Sequence, residues 1–188
     1  MFKHIPNLLT LSRLFIIPIF LIIPYYNSTL ARSVILGLFT YACISDFLDG
    51  YLARKYNIGS NFGRIFDPIA DKALILVVSC MILVRDKSFI DFLLYPIVII
   101  LIRELVVSGL RENLSSLSLS LKVTTLAKYK TLIQMLAFGF LIYGGTDNTW
   151  FLSNKIIGIF ILYIAMAISL ITGFQYLLFT YKNMNNNN

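Results

Sequence analysis

The sequence predicts an all-α integral membrane protein with six transmembrane helices and with both termini in the cytoplasm. Three observations predict this class: the composition, the spacing of the apolar segments and the distribution of basic residues. Of the 188 residues, 58% are hydrophobic and 13% are charged, and the mean hydropathy is +0.80. Because an ordinary soluble domain is about half apolar and about a quarter charged, this chain is expected to lie largely in lipid.

Six apolar segments are each long enough to cross a bilayer, which takes about 20 residues in a helix. They fall roughly at 8–25, 31–54, 62–84, 89–110, 126–145 and 155–180. The polar or glycine-rich breaks between them are too short to hold a soluble domain. We therefore expect one membrane domain over 1–182, followed by a disordered polar tail at 183–188.

The basic residues predict the orientation of these segments. With the N-terminus in the cytoplasm, only Arg32, Arg85, Lys87 and Lys155 of the 16 Lys and Arg residues fall on the outer side. This bias agrees with the positive-inside rule. The expected location is a bacterial-type inner membrane, crossed several times, and the net charge of +7 suits its anionic inner leaflet.

The composition also excludes several classes of function. No basic face lies on a polar domain, so a nucleic-acid partner is not expected. The two cysteines, Cys43 and Cys80, lie within apolar segments and form neither a disulfide framework nor a thiolate metal site. His4 is the single histidine, which excludes a histidine-based site.

Four aspartates are the most informative residues of the chain. Asp46 and Asp49 fall in the second apolar segment, and Asp67 and Asp71 fall in the third, all near the cytoplasmic ends. Acidic residues in apolar segments are costly and usually face a functional site, and neighbouring carboxylates repel one another. Hard divalent cations with oxygen ligands would neutralise them. We therefore expect a site for Mg²⁺ or Mn²⁺ that opens to the cytoplasm.

Helical spacing brings each aspartate pair onto one face. At 100° per residue, Asp46 and Asp49 lie about 60° apart, and Asp67 and Asp71 lie about 40° apart. Two facing helices would then bring the four carboxylates together. Carboxylates, divalent ions and a phosphate ester make phosphoryl-type transfer the expected chemistry.

Small residues share these faces. Gly50 and Ala53 lie beside the first aspartate pair, and Gly63 lies beside the second. Small side chains let helices approach closely and leave space for a flat ligand. Arg54 falls at the mouth of the site, where its guanidinium is suited to bind a pyrophosphate.

The pattern D-x2-D-G-x2-A-R-x8-G-x3-D-x3-D resembles the signature of the CDP-alcohol phosphatidyltransferases. Every fixed position is matched, by Asp46, Asp49, Gly50, Ala53, Arg54, Gly63, Asp67 and Asp71. The resemblance implies a six-helix membrane fold that forms a homodimer, and two divalent ions held by the aspartates. It also implies that Asp71 is the general base, that the nucleotide lies against Gly50, Ala53 and Gly63, and that an alcohol displaces CMP from a CDP-linked lipid.

Further stretches resemble the phosphatidylglycerophosphate synthase branch of that family. The opening P-N-x-L-T-x-x-R begins at Pro6 and includes Asn7 and Thr10, which are candidates for support of the site. This resemblance implies CDP-diacylglycerol as the donor and sn-glycerol 3-phosphate as the acceptor. The acceptor is a dianion and needs basic residues, for which the candidates are Arg103, Arg111, Lys128 and Lys130. Two later stretches also resemble this branch, one from Arg103 to Glu112 and one from Lys128 to Met135, and Ala127 stands where the second stretch would have glycine before its lysine.

Simpler interpretations of these residues stay open at this point. Asn7 and Thr10 could cap the first helix. Arg111 could form an exposed pair with Glu112, and Lys128 and Lys130 could be positive-inside anchors.

Other functions also stay open. The chain could be another CDP-diacylglycerol-dependent synthase, of the cardiolipin or phosphatidylinositol-phosphate type. A Mg²⁺-dependent membrane prenyltransferase also uses aspartate-rich helices, but does not need the Gly-Ala-Arg pattern. A cation transporter could bind its cargo with the aspartates, although no internal repeat is visible.

Overall fold

The computed structural model describes residues 5–22, 28–56, 61–116, 125–145 and 149–185, and these residues form helices and no β-strand. The helices are α1 Ile5–Ile16, α2 Ile19–Ile22, α3 Thr29–Tyr56, α4 Asn61–Arg85, α5 Ile90–Ser116, α6 Thr125–Tyr143 and α7 Thr149–Asn185. A short 3-10 turn at Lys87–Phe89 joins α4 to α5. The prediction of an all-α chain is confirmed over these residues.

The last five predicted apolar segments correspond to one helix each, α3 to α7, with differences at the ends. The first segment is not one helix, because α1 ends at Ile16 and the short α2 begins only at Ile19. Pro18 lies between them and has no N–H to continue the helical hydrogen bonds. The last helix is longer than expected and continues to Asn185, three residues into the segment predicted to be a disordered tail. Residues 186–188 lie outside the described part of the chain.

The long helices alternate in direction, so their charged residues gather at two ends of the bundle. At one end, Arg85 on α4 donates hydrogen bonds to the carbonyls of Leu141 and Ile142 on α6. Lys155 on α7 donates to Asp86 there, with 2.5 Å between Nζ and Oδ1. We call this the Arg85 end. The four aspartates lie at the other end, which we call the aspartate end.

The interior and the exterior of the bundle are both apolar. Buried side chains from α3 to α7 form one core, which includes Phe39, Val78, Ile97, Phe138 and Leu162. Large apolar side chains are also exposed along every long helix, as is usual for a surface that faces lipid and not for a soluble domain.

Among the residues that the structure describes, two helical stretches are long and apolar enough to cross a membrane. They are Thr29–Leu52 and Thr149–Lys182, and two shorter apolar stretches are Asn7–Ile22, which includes α1 and α2, and Tyr129–Tyr143. Together with the exposed apolar surface, these helices indicate a membrane protein.

Glycine permits a very close helix contact in the bundle. A Cβ atom at Gly158 on α7 would lie 2.9 Å from Cγ and 3.0 Å from the backbone nitrogen of Leu141 on α6. Real side chains do not pack at such distances, so α6 and α7 approach this closely only because position 158 is glycine. This contact holds the start of α7 against the end of α6, near the Arg85 end.

Candidate functional site

Arg13 lies at the centre of the four aspartates. Its side chain is completely buried, and Nη1 lies 2.7 Å from Oδ1 of Asp46. The same guanidinium forms ion pairs with Asp49 and Asp71, and Nη2 lies 3.6 Å from Oδ1 of Asp67. Four aspartates that lie 33 to 58 residues after Arg13 in the sequence therefore surround a single positive charge.

Three helices position this cluster. Helix α1 packs against both α3 and α4, which carry the two aspartate pairs. Thr10 and Arg13 are three residues apart on α1 and therefore share one face. The hydroxyl of Thr10, which is fully buried, donates a hydrogen bond to Oδ1 of Asp67. Because α1 begins at Ile5, neither Thr10 nor Asn7 lies at its N-cap.

The four carboxylates differ in exposure. Asp49 is buried, with 5% of its side chain exposed, whereas Asp46, Asp67 and Asp71 are 35%, 38% and 44% exposed. Three of them therefore remain accessible to a ligand. Within the described residues, no three Asp, Glu, His or Cys side chains are already arranged as metal ligands, and the aspartates instead surround a guanidinium. The four aspartates nevertheless offer only carboxylate oxygens, and these are the ligands that hard divalent cations prefer.

The predicted nucleotide-binding residues lie on the same two helices. Gly50 directly follows Asp49 and is half-buried, and Gly63 lies one helical turn before Asp67 and is buried. Ala53 and Arg54 belong to α3, but their side chains lie outside the part of the structure that is described.

A cavity of about 450 Å³ connects the aspartates to the basic residues of α5. Its wall includes Asp46 and Asp71 from the cluster, and Arg103 and Arg111 from α5. The two aspartates therefore face the same cavity as two arginines that lie more than 30 positions later in the sequence. Two of the residues predicted to bind the acceptor, Arg103 and Arg111, lie beside two of the aspartates in this way.

Arg103 and Arg111 are held by α7. Arg103 donates hydrogen bonds to the carbonyl of Ser169 at 3.2 Å and to the hydroxyl of Thr172 at 2.8 Å. Arg111 donates to the hydroxyl of Tyr176 at 3.1 Å, and its guanidinium carbon lies 5.2 Å from the centre of that ring. These contacts fix the direction of both guanidinium groups.

Lys130, a candidate for acceptor binding, is paired with an acid inside the protein. It is almost completely buried and forms an ion pair with Glu104 of α5. Glu104 lines the cavity, whereas Lys130 is not among the described residues of its wall. Lys130 is therefore not an exposed membrane anchor, and its charge is compensated inside the protein. The side chain of Lys128 lies outside the described part.

A second cavity of about 640 Å³ is almost entirely apolar. It runs between α3 and α6, from Cys43 to Trp150 and Asn154 near the start of α7. Cys43 and Met135 line both cavities, so the apolar cavity begins beside the charged one. The site therefore has a polar compartment and an apolar compartment in contact.

Sequence reasoning missed Arg13 as a member of the site. It was visible as the arginine that ends the P-N-x-L-T-x-x-R opening, and as a charged residue within an apolar segment. Such residues usually face a polar interior. Glu104 was also missed, because a sequence alone does not show which base an acid will meet.

Known proteins resemble this chain over almost its whole length. The family model for CDP-alcohol phosphatidyltransferases matches residues 3–175. A protein of Rickettsia typhi named CDP-diacylglycerol–glycerol-3-phosphate 3-phosphatidyltransferase is 44% identical over 93% of this chain and 95% of its own. Proteins of the same name from Rickettsia felis and Shigella flexneri are 45% and 33% identical, each over 93% of both chains.

Proposed function

Because this chain belongs to the CDP-alcohol phosphatidyltransferase family, we propose that it transfers the phosphatidyl group of CDP-diacylglycerol to sn-glycerol 3-phosphate. The products are phosphatidylglycerophosphate and CMP. The observation that carries this proposal is the single cavity that joins Asp46 and Asp71 to Arg103 and Arg111. A carboxylate cluster suits the donor's pyrophosphate through divalent ions, and a basic wall suits an anionic acceptor.

The four aspartates are the groups that would hold divalent metal ions, which enzymes of this family generally use. We assign two ions, Mg²⁺ or Mn²⁺, to Asp46, Asp49, Asp67 and Asp71. When bound, such ions neutralise the pyrophosphate of the donor and make CMP a better leaving group. The chain's own contribution is to hold the carboxylates on two helices that α1 clamps together.

The donor lipid would occupy both compartments of the site. Its cytidine would lie against Gly50, Ala53 and Gly63, and Arg54 would contact its pyrophosphate. Its acyl chains would enter the apolar cavity between α3 and α6, which begins at Cys43, close to the aspartates. An apolar lining suits acyl chains because it removes hydrocarbon from water.

The acceptor would enter the charged cavity with its phosphate toward α5. Arg111 and Arg103 line the cavity and would bind the phosphate. Lys130 would contribute indirectly, through its ion pair with Glu104 at the cavity wall. Lys128 stays a candidate for acceptor binding from the sequence. Asn7 and Thr10 would support the aspartates, because Thr10 already donates a hydrogen bond to Asp67.

The reaction is a displacement at the phosphorus that carries the diacylglycerol. Asp71 would accept the proton of the attacking hydroxyl, and its 44% exposure at the cavity wall supports this role. A new O–P bond forms, the bridging P–O bond to CMP breaks, and CMP leaves with the electron pair. Arg103 and Arg111 orient the acceptor for this attack.

The proposed setting is the inner membrane of a bacterial-type cell, with six transmembrane segments, cytoplasmic termini and a homodimeric assembly. The alternating helices support it, because they place Arg32, Arg85 and Lys155 together at the end away from the aspartates. In this orientation the site opens to the cytoplasm, where CDP-activated lipids and glycerol phosphates meet.

The test is CMP release by purified protein given CDP-diacylglycerol and a panel of acceptors. The panel contains sn-glycerol 3-phosphate, glycerol, inositol phosphate and phosphatidylglycerol. We expect rapid CMP release with sn-glycerol 3-phosphate and slow release with the others. Faster release with phosphatidylglycerol or inositol phosphate would instead identify another synthase of the family.

A further inference from the structure

Gln134 on α6 is a buried amide that the reaction described above does not use. Only 1% of the residue is exposed, and it lines the cavity that holds Asp71 and Arg111. Within the described residues, neither its amide oxygen nor its amide nitrogen has a hydrogen-bond partner. Because buried amides are costly when unpaired, a partner that enters the cavity is the simplest explanation.

The chemistry of the cavity wall indicates what this partner is. Charged groups of the wall, such as Arg103, Arg111, Asp46 and Asp71, are suited to phosphate, metal ions and protons. An amide is neutral and presents one acceptor oxygen and a donor NH₂ group. A hydroxyl group also donates one hydrogen bond and accepts others, so an alcohol oxygen matches both halves of the Gln134 amide.

We propose, on the basis of the function proposed above, that Gln134 binds the acceptor hydroxyl that does not react. sn-Glycerol 3-phosphate has two hydroxyl groups, and only one attacks the phosphorus. The other would receive a hydrogen bond from the amide NH₂ group and donate one to the amide oxygen. Gln134 therefore selects phosphorylated polyols over phosphorylated alcohols that have a single hydroxyl.

The position of Gln134 on α6 supports this role. It lies four residues after Lys130 and so occupies the same helical face. Lys130 is fixed by its ion pair with Glu104, which anchors this face of α6 toward α5. The amide is thus held on the side of the cavity where the acceptor would bind. A site built to pair with a substrate hydroxyl discriminates strongly against an analogue that lacks it.

The test compares two acceptors that differ by one hydroxyl. 3-Hydroxypropyl phosphate keeps the phosphate and one primary hydroxyl of sn-glycerol 3-phosphate but lacks the middle hydroxyl. The wild type should prefer sn-glycerol 3-phosphate by roughly tenfold or more in kcat/KM. In Gln134→Leu this preference should fall toward one, through loss of activity with sn-glycerol 3-phosphate alone. The KM for CDP-diacylglycerol should not change.

Controls separate this role from a structural one. Gln175→Leu makes the same chemical change at an exposed position of α7 and should keep the wild-type preference. If Gln134→Leu does not fold, Gln134→Met removes the amide while keeping an unbranched side chain. Equal loss of activity with both acceptors, or a wild type without preference, would overturn the proposal. A wild type that releases no CMP with sn-glycerol 3-phosphate but does so with another alcohol would instead overturn the proposed function and, with it, this role.

Discussion

Arg13 has no exposed surface, yet it carries a full charge among four carboxylates. A buried charge is tolerated only when it is paired, and carboxylates close together in a low dielectric repel unless a cation lies between them. Arg13 and the aspartates therefore depend on one another for stability. At the scale of single residues, charge compensation decides the structure of the aspartate end.

The first prediction concerns Arg13. Arg13→Gln leaves four carboxylates without their central guanidinium, and because three of them are partly exposed the cost should be below the roughly 3–5 kcal/mol of a fully buried pair. The melting temperature in detergent should fall, and added Mg²⁺ should restore part of the loss by supplying another positive charge. The control is Lys87→Gln, which removes an exposed charge and should leave the melting curve in place. A melting temperature unchanged in Arg13→Gln would contradict the central role of this arginine.

The second prediction concerns the aspartates. Asp46→Asn, Asp49→Asn and Asp67→Asn should each reduce CMP release by several orders of magnitude while the protein remains folded. An amide is a poorer ligand for a hard cation and does not neutralise it. Asp91→Asn changes an exposed aspartate at the start of α5 and serves as the matched control. Near wild-type turnover by any of the three variants at low Mg²⁺ would argue against the metal assignment.

The aspartates could be identified from the sequence, but their partner could not. Each aspartate pair is spaced by three or four residues, so the helical period alone predicts that its members share a face. The ion pairs of Arg13 instead join helices that are distant in sequence. No local rule determines which base meets which acid, and for the same reason the ion pair between Lys130 and Glu104 could not be predicted from the sequence.

The helices themselves were largely predictable, because apolar runs of this length have few alternatives to a helix in lipid. The breaks before α4, α5 and α7 fall within polar or glycine-rich stretches that are visible in the sequence. The gap between α1 and α2 was missed, although Pro18 marks it. A proline often bends a helix without ending it, so its position alone did not decide between a kink and a break.

The third prediction concerns the contact between α6 and α7. Gly158→Ala places a methyl group 2.9 Å from Cγ of Leu141, so the helices must separate. The expected loss is roughly 1–3 kcal/mol of unfolding free energy, as for other overpacked sites. Gly37→Ala is the control, since no atom lies within 4 Å of the point where its methyl group would stand, and alanine favours a helix over glycine. Thermal unfolding in detergent distinguishes the two, and equal curves would contradict the close contact.

At the scale of the whole molecule, two separate groups of ion pairs lie at opposite ends of the bundle, one around Arg13 and one around Asp86. Arg32 and Asp46 lie on the same helix, about 21 Å apart at 1.5 Å per residue. The Arg85 end holds a buried pair between Asp86 and Lys155 and hydrogen bonds from Arg85 to the end of α6. None of its described residues lines the charged cavity. The ion pairs at this end therefore serve to fasten α4, α6 and α7 together.

The fourth prediction tests this separation. Lys155→Met leaves Asp86 buried without its closest cation, and should lower the unfolding free energy on the order of 3 kcal/mol. The KM values for both substrates should stay near wild type in the folded protein. Arg111→Ala at the aspartate end should do the reverse, and raise the acceptor KM by roughly tenfold with a smaller effect on stability.

A double variant shows whether the loss in Lys155→Met comes from the buried pair. Asp86→Asn with Lys155→Met removes both charges, so no uncompensated carboxylate remains in the interior. Its unfolding free energy should exceed the value expected from adding the two single losses, because each single variant leaves one charge unpaired. Strict additivity would mean that the two side chains contribute independently. A shift of the acceptor KM in Lys155→Met would mean that the two ends of the bundle are coupled, and the Arg85 end would then belong to the working parts of the enzyme.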